Sequence, residues 1–214
     1  MQPAIPVGTI LQNHYRIVQL LGQGGFGRTY LAEDEGRFNE RCAIKEFVPV
    51  KGADRFSDKA TQLFQREASV LYQIGHPQIP KFWATFEEEE RLFLVQDYVP
   101  GPTYHEVLNQ RRRQGGAFSE AEVRLFLQQM LPVLAHIHAK GIIHRDVSPD
   151  NIILRQKDGS PCLHLFTGSV ACFANSGGMG SVATVHLHAC HHFFHHAKVN
   201  QHGQAVFLAQ NDVI

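Results

Sequence analysis

His144-Arg145-Asp146-Val147-Ser148-Pro149-Asp150-Asn151, running into Ile152-Ile153-Leu154, is the stretch on which the fold turns. A carboxylate, Asp146, and an amide, Asn151, stand in a polar loop that enters an apolar, β-branched strand. A loop anchored in this way holds two polar groups at a fixed separation, which suits chemistry that depends on positioning. The same residues would also make an ordinary polar turn, so their meaning depends on what precedes them.

Immediately upstream, Ser119-Glu120-Ala121-Glu122 forms a capping box. It opens a helix in which Val123, Phe126, Leu127, Met130, Leu134 and Ile137 recur at helical spacing. Pro132 is expected to kink this helix, and Gly141 to end it. Further back, Gly101-Pro102 marks a linker after a hairpin made of residues 82–86 and 91–99. The acids at 87–90 that join the hairpin read as a solvated turn.

The N-terminal part carries a second glycine-bearing signal. Residues 14–22 have strand composition and lead into Gly22-Gln23-Gly24-Gly25-Phe26-Gly27, a G-x-G-x-x-G. Glycines at these points let backbone amides approach phosphate oxygens without side-chain interference. The spacing also occurs in dinucleotide-binding turns, but those run into a helix, whereas residues 26–35 read as the return arm of a hairpin. Residues 41–48 form a further strand containing Ala43-Ile44-Lys45. A lysine within an apolar strand is costly unless its ammonium meets anions, which triphosphate oxygens and a carboxylate would supply. An edge lysine reaching to water is the plainer alternative. Glu67 is the candidate carboxylate, because it shares a helix face with Leu63, Phe64, Ala68 and Leu71. Gly75-His76-Pro77 stops that helix.

Composition narrows the function classes. The chain has 214 residues with 20 Lys and Arg against 20 Asp and Glu, so no charge excess points to nucleic acid or a membrane surface. Four dispersed cysteines without a C-x-x-C pair fit a reducing cytoplasm. The first ten residues lack the features of a signal peptide, and no run of about 18 apolar residues suggests a membrane segment.

Taken in order, Gly22/Gly24/Gly27, Ala43-x-Lys45, Glu67, the hinge at 96–101 and His144 to Asn151 resemble the eukaryotic-type serine/threonine protein kinases of bacteria, over about residues 14–163. The resemblance implies an α+β, two-lobe, protein-kinase-like fold. Residues 1–13 would be an N-terminal lead, and 14–100 a small lobe of five antiparallel strands plus one helix. Residues 101–163 would begin a mainly helical large lobe that is incomplete. It further implies transfer of the γ-phosphoryl group of ATP, with Mg²⁺, to Ser or Thr hydroxyls of a protein substrate. Asp146 would take the hydroxyl proton, Lys45 and Glu67 would fix the phosphates, and Asn151 would bind metal. Leu21, Gly22, Gln23, Gly24, Gly25, Phe26, Gly27, Thr29, Ala43, Lys45 and Glu67 would contribute to the nucleotide site. Gln96 would line its back, and the backbone of Asp97 to Val99 would meet adenine. Thr29 stands where the pattern prefers Val but keeps the β-branch. Ser148 stands where the class usually places a lysine, and Pro149 is typical of the serine/threonine class.

The pattern breaks after Asp158-Gly159. Kinases place D-F-G here, with its Asp on Mg²⁺, whereas this chain has Leu165-Phe166-Thr167-Gly168, with Leu165 at the Asp position. No acid occurs between Asp158 and Asp212, there is no A-P-E segment, and eight of the 14 histidines lie after residue 158. Residues 164–214 are therefore expected to be a His-rich, non-kinase-like tail. Three origins fit: a shifted reading frame, a divergent pseudokinase tail, or a metal site built from His188, Cys190, His191, His192, His195 and His196. A shifted frame predicts D-F-G close to Leu163 in another frame of the coding DNA. The corresponding functions are a kinase domain that is inactive as written, a nucleotide-binding pseudokinase scaffold, or a defective product.

Overall fold

The structure is a computed structural model. It describes residues 3–24, 27–47, 58–144 and 146–165, with the backbone alone of 171–172, 197–199 and 205–207. The side chains of residues 58–61, 63, 66 and 67 also lie outside the described set. Two units divide the chain, one of residues 1–100 with 165–168 and the other of residues 101–164 with 169–214.

The first unit is an antiparallel sheet built from alternating strands. Its members are β1 (Ile10–Leu11), β2 (Tyr15–Gly24), β3 (Gly27–Asp34), β4 (Glu40–Phe47), β5 (Phe82–Glu88) and β6 (Arg91–Asp97). They lie in the order β1-β2-β3-β4-β6-β5. The sheet thus has six strands, not the expected five, because two residues of the N-terminal lead pair with Tyr15 and Arg16. A strand this short carries no periodic signal, which is why it is invisible in the sequence.

Period-two alternation gives the sheet two different faces. One carries Ile17, Tyr30, Ala32, Cys42, Ile44, Phe93 and Val95, each at most 1% exposed, and Ile5 and Leu11 pack into the same cluster. Complete burial of each large aliphatic or aromatic side chain here contributes roughly 1.5–3 kcal/mol. Cys42 sits in this core, where burial pushes its thiol up to about 12, so it is a packing residue and not a reactive thiolate. The other face carries Thr29, Leu31, Ala43, Lys45 and Leu94, with Thr29 opposite Lys45 and Lys45 opposite Leu94. Helix α1 (Asp58–Tyr72) buries Phe64, Ala68 and Leu71, as its periodicity predicts. The Phe64 ring lies 6.1 Å from Phe47, and Tyr72 meets Phe82 edge-on at 6.2 Å.

The second unit begins where Gly101 adopts φ +144°, and a Cβ there would lie 2.1 Å from the Leu154 carbonyl oxygen. Only glycine permits that approach. Helix α2 (Tyr104–Arg113) follows, capped reciprocally by Thr103 and Glu106. Helix α3 (Glu120–Ala139) has the expected Ser119/Glu122 capping box and runs on through Pro132. Met130, Val133, Leu134 and Ile137 form its buried stripe. Arg111 joins the two helices through a two-pronged ion pair with Glu122, at 2.6 and 3.1 Å, while stacking 4.2 Å above Phe118. Short pairs complete this unit: β7 (Ile142–Ile143) with β10 (Ala171–Cys172), β8 (Ile152–Leu154) with β9 (Pro161–Leu163), and β11 (Ala197–Val199) with β12 (Ala205–Phe207).

Candidate functional site

In the second unit the polar loop is built around a buried histidine. His144 is 2% exposed, and its Nε2 lies 2.8 Å from the His164 carbonyl oxygen. Its Nδ1 accepts from the Asp146 amide at 3.3 Å. The Asp146 amide is shared between this ring nitrogen and the His144 carbonyl oxygen. The ring therefore brackets the loop from within.

Asp146 and Asn151 are brought together directly. Pro149 opens a single 3₁₀ turn, Pro149–Asn151, whose last residue is buried and leads into β8. The Asn151 side-chain nitrogen donates to the Asp146 carbonyl at 2.9 Å and to its carboxylate at 2.8 Å. Backbone bonds from Asn151 to Ser148 (3.0 Å) and from His164 to Asn151 (2.8 Å) fix both sides of the turn. Asp146 itself remains partly exposed. Arg145 lies outside the described residues.

In the first unit, Lys45 is 7% exposed and Ala43 is 2% exposed on β4. Glu67 belongs to α1, and its side chain, with its expected pairing to Lys45, lies outside the described residues. Leu21, Gly22, Gln23 and Gly24 end β2 on an exposed arm, Gly25 and Phe26 lie outside the described residues, and Gly27 and Thr29 begin β3. The glycines do not act alike. A Cβ at Gly22 or Gly24 would meet nothing within 4 Å, whereas one at Gly27, where φ is +147°, would sit 2.0 Å from the Glu46 carbonyl oxygen. The first two glycines leave open space on the arm, and the third permits close strand contact.

The stretch expected to meet adenine is held from behind. The Asp97 carboxylate accepts from the Trp83 indole at 2.7 Å and from the Lys81 amide at 3.0 Å. Arg37 covers the Trp83 ring at 3.9 Å. Gln96 and Val99 are buried. This clamp spans the two arms of the β5–β6 hairpin.

A sequence profile described as the protein kinase domain matches residues 15–185. The chain belongs to the protein kinase family. The match runs on past residue 163, where the motif resemblance ends. The chain is 42% identical over 169 residues to serine/threonine-protein kinase-like protein E of Synechocystis sp., covering 79% of this chain and 27% of that protein. It is 46% identical over 157 residues to serine/threonine-protein kinase C of the same organism, covering 72% and 29%. The kinase chain therefore spans under a third of these curated relatives. The Mycobacterium tuberculosis PknI kinase domain has a similar structure, with TM-score 0.65 and 27% identity, covering 78% of this chain and 64% of that one.

Protein kinases as a family use ATP and Mg²⁺ and act on proteins. Among the described residues the donor set does not complete a Mg²⁺ site. Both Asn151 amide hydrogens go to Asp146, which leaves one neutral oxygen for a cation that prefers carboxylates and phosphates. Leu165, 3% exposed, stands where the family places a chelating acid. Among the described residues no group of three or more His, Cys, Asp and Glu could hold a metal ion. The His188 to His196 cluster lies outside them. No described helix is long and apolar enough to cross a membrane.

Proposed function

We propose that this chain is the nucleotide-binding and catalytic-loop portion of a cytoplasmic serine/threonine protein kinase. The observation that carries this reading is the Asp146–Asn151 hydrogen-bonded unit, because it holds a partly exposed carboxylate in one orientation. Asp146 accepts the proton of a Ser or Thr hydroxyl on a protein substrate as that oxygen attacks the γ-phosphoryl of ATP. Lys45 and Glu67 fix the phosphates, and the open arm at Gly22 and Gly24 admits them to backbone amides. Asp97 to Val99 bind adenine. Mg²⁺ would be met by Asn151 and would supply charge neutralisation at the phosphates.

A second reading is favoured by Leu165. With no acid at that position, the 214-residue chain binds ATP weakly and transfers little phosphate, as a pseudokinase would. Calorimetric titration of the chain with ATP tests the shared nucleotide-binding claim. Lys45→Met is expected to weaken binding at least about tenfold, near 1.4 kcal/mol. Equal affinity in wild type and variant would remove Lys45 from the site.

A further inference from the structure

On the sheet face opposite Lys45, the apolar core ends in a buried ionic cluster centred on Glu46. The Glu46 carboxylate accepts from Arg28 Nη1 at 3.2 and 3.1 Å, from Arg91 Nη1 at 3.2 Å and from the Tyr30 hydroxyl at 2.7 Å. Glu46 and Arg28 are 4% and 5% exposed, and Tyr30 is fully buried. Burial pushes the Tyr30 phenol above its ordinary range, which keeps it a donor.

A buried ion pair contributes little net stability compared with apolar side chains of the same size, so its presence calls for another explanation. Geometry supplies one. Arg28 directly follows Gly27, and its Nε donates to Gln23 Oε1 at 3.3 Å, inside the glycine motif on the neighbouring strand. Glu46 directly follows Lys45, and the Gly27 backbone packs against the Glu46 carbonyl. The same cluster also grips the N-terminal segment. The Pro3 carbonyl accepts from Arg28 at 3.3 Å and from Arg91 at 3.0 Å, and the Ile5 amide donates to the Tyr30 hydroxyl at 3.2 Å.

We infer that Glu46 is a positioning residue for phosphate binding: its cluster ties both arms of the glycine hairpin to the Lys45 strand and makes the segment around Pro3 and Ile5 part of that brace. The inference rests on the ATP-binding reading above. If the brace sets only the phosphate-binding hairpin, its loss affects ligands that carry phosphates and spares one that uses the adenine stretch alone.

The test is titration of the full 214-residue chain with ATP and separately with adenosine, for wild type, Glu46→Gln, Arg28→Met and Arg28→Lys. Circular dichroism confirms folding of each variant. Glu46→Gln and Arg28→Met are expected to lose about tenfold in ATP affinity with adenosine affinity unchanged, and Arg28→Lys to lose less. Should the first two variants fail to fold, Arg28→Lys decides, since it keeps the charge without the fork. A preferential loss for ATP in that variant supports the brace. Equal losses for both ligands, or none, overturn it. Failure of the wild-type chain to bind either ligand overturns the nucleotide-binding reading itself, and the inference with it.

Discussion

The Asn151 amide donates to both the backbone carbonyl and the carboxylate of Asp146, at 2.9 and 2.8 Å, so the two polar residues of the loop form one unit. Replacing Asn151 by Leu removes both bonds and strands a carbonyl inside the turn. The expected loss is about 1–3 kcal/mol of stability, read by urea denaturation. An unchanged midpoint would show that the turn is held by its backbone bonds alone.

Trp83 is the sole tryptophan of the chain, and its indole donates to Asp97, which opens the stretch proposed to meet adenine. Its fluorescence should therefore report on Asp97. Asp97→Ala is expected to shift the emission maximum, and ATP is expected to change the wild-type emission and not that of the variant. Identical spectra in both proteins, with and without ATP, would contradict the clamp.

The Arg111–Glu122 pair predicts a defined acid response. The Arg111 guanidinium, followed by the Ser119 amide, holds the Glu122 carboxyl down to about 2 from an ordinary value of 4.5. A lowered folded value means that stability from this group is present above 4.5 and lost as pH falls toward 2. The stability advantage of wild type over Glu122→Gln is thus expected at pH 7 and should shrink through this range, as followed by thermal unfolding. A constant difference down to pH 2.5 would exclude the pair as its source.

The β5–β6 turn places Glu89 and Glu90 in the left-handed region, at φ 49° and 58°. Non-glycine residues are strained there by about 1–2 kcal/mol, and four consecutive acids repel one another. Glu90→Gly should raise the unfolding midpoint, the more so at low salt. A lower midpoint would mean that the Glu90 side chain stabilises the turn in a way its conformation hides.

Much of this was legible in the sequence because it is local. The glycine hairpin, the α1 stripe of Phe64, Ala68 and Leu71, and the Ser119/Glu122 cap each follow from spacing within a few residues. The Glu46 cluster was not legible, since its partners Arg28 and Arg91 lie 18 and 45 residues away and a glutamate beside Lys45 reads as an exposed strand position. Helix α2 was missed because it buries only Tyr104 and ends in the polar run Arg111, Arg112, Arg113, so its capping box at Thr103 and Glu106 was its one clear signal. The clamp on Asp97 likewise depends on strand pairing that brings Lys81 and Trp83 alongside it.

The central proposal is that Asp146 and Lys45 each serve phosphoryl transfer, in a sequence that has Leu165 where the family places its chelating acid. The most direct measurement is γ-phosphoryl transfer from ATP to a generic Ser/Thr protein substrate with Mg²⁺, made on the 214-residue chain and on Asp146→Asn in parallel. The account predicts no transfer above that of the variant, together with Lys45-dependent ATP binding that Mg²⁺ barely alters. Robust turnover that disappears in Asp146→Asn would contradict it, and would mean that another group has replaced the missing aspartate.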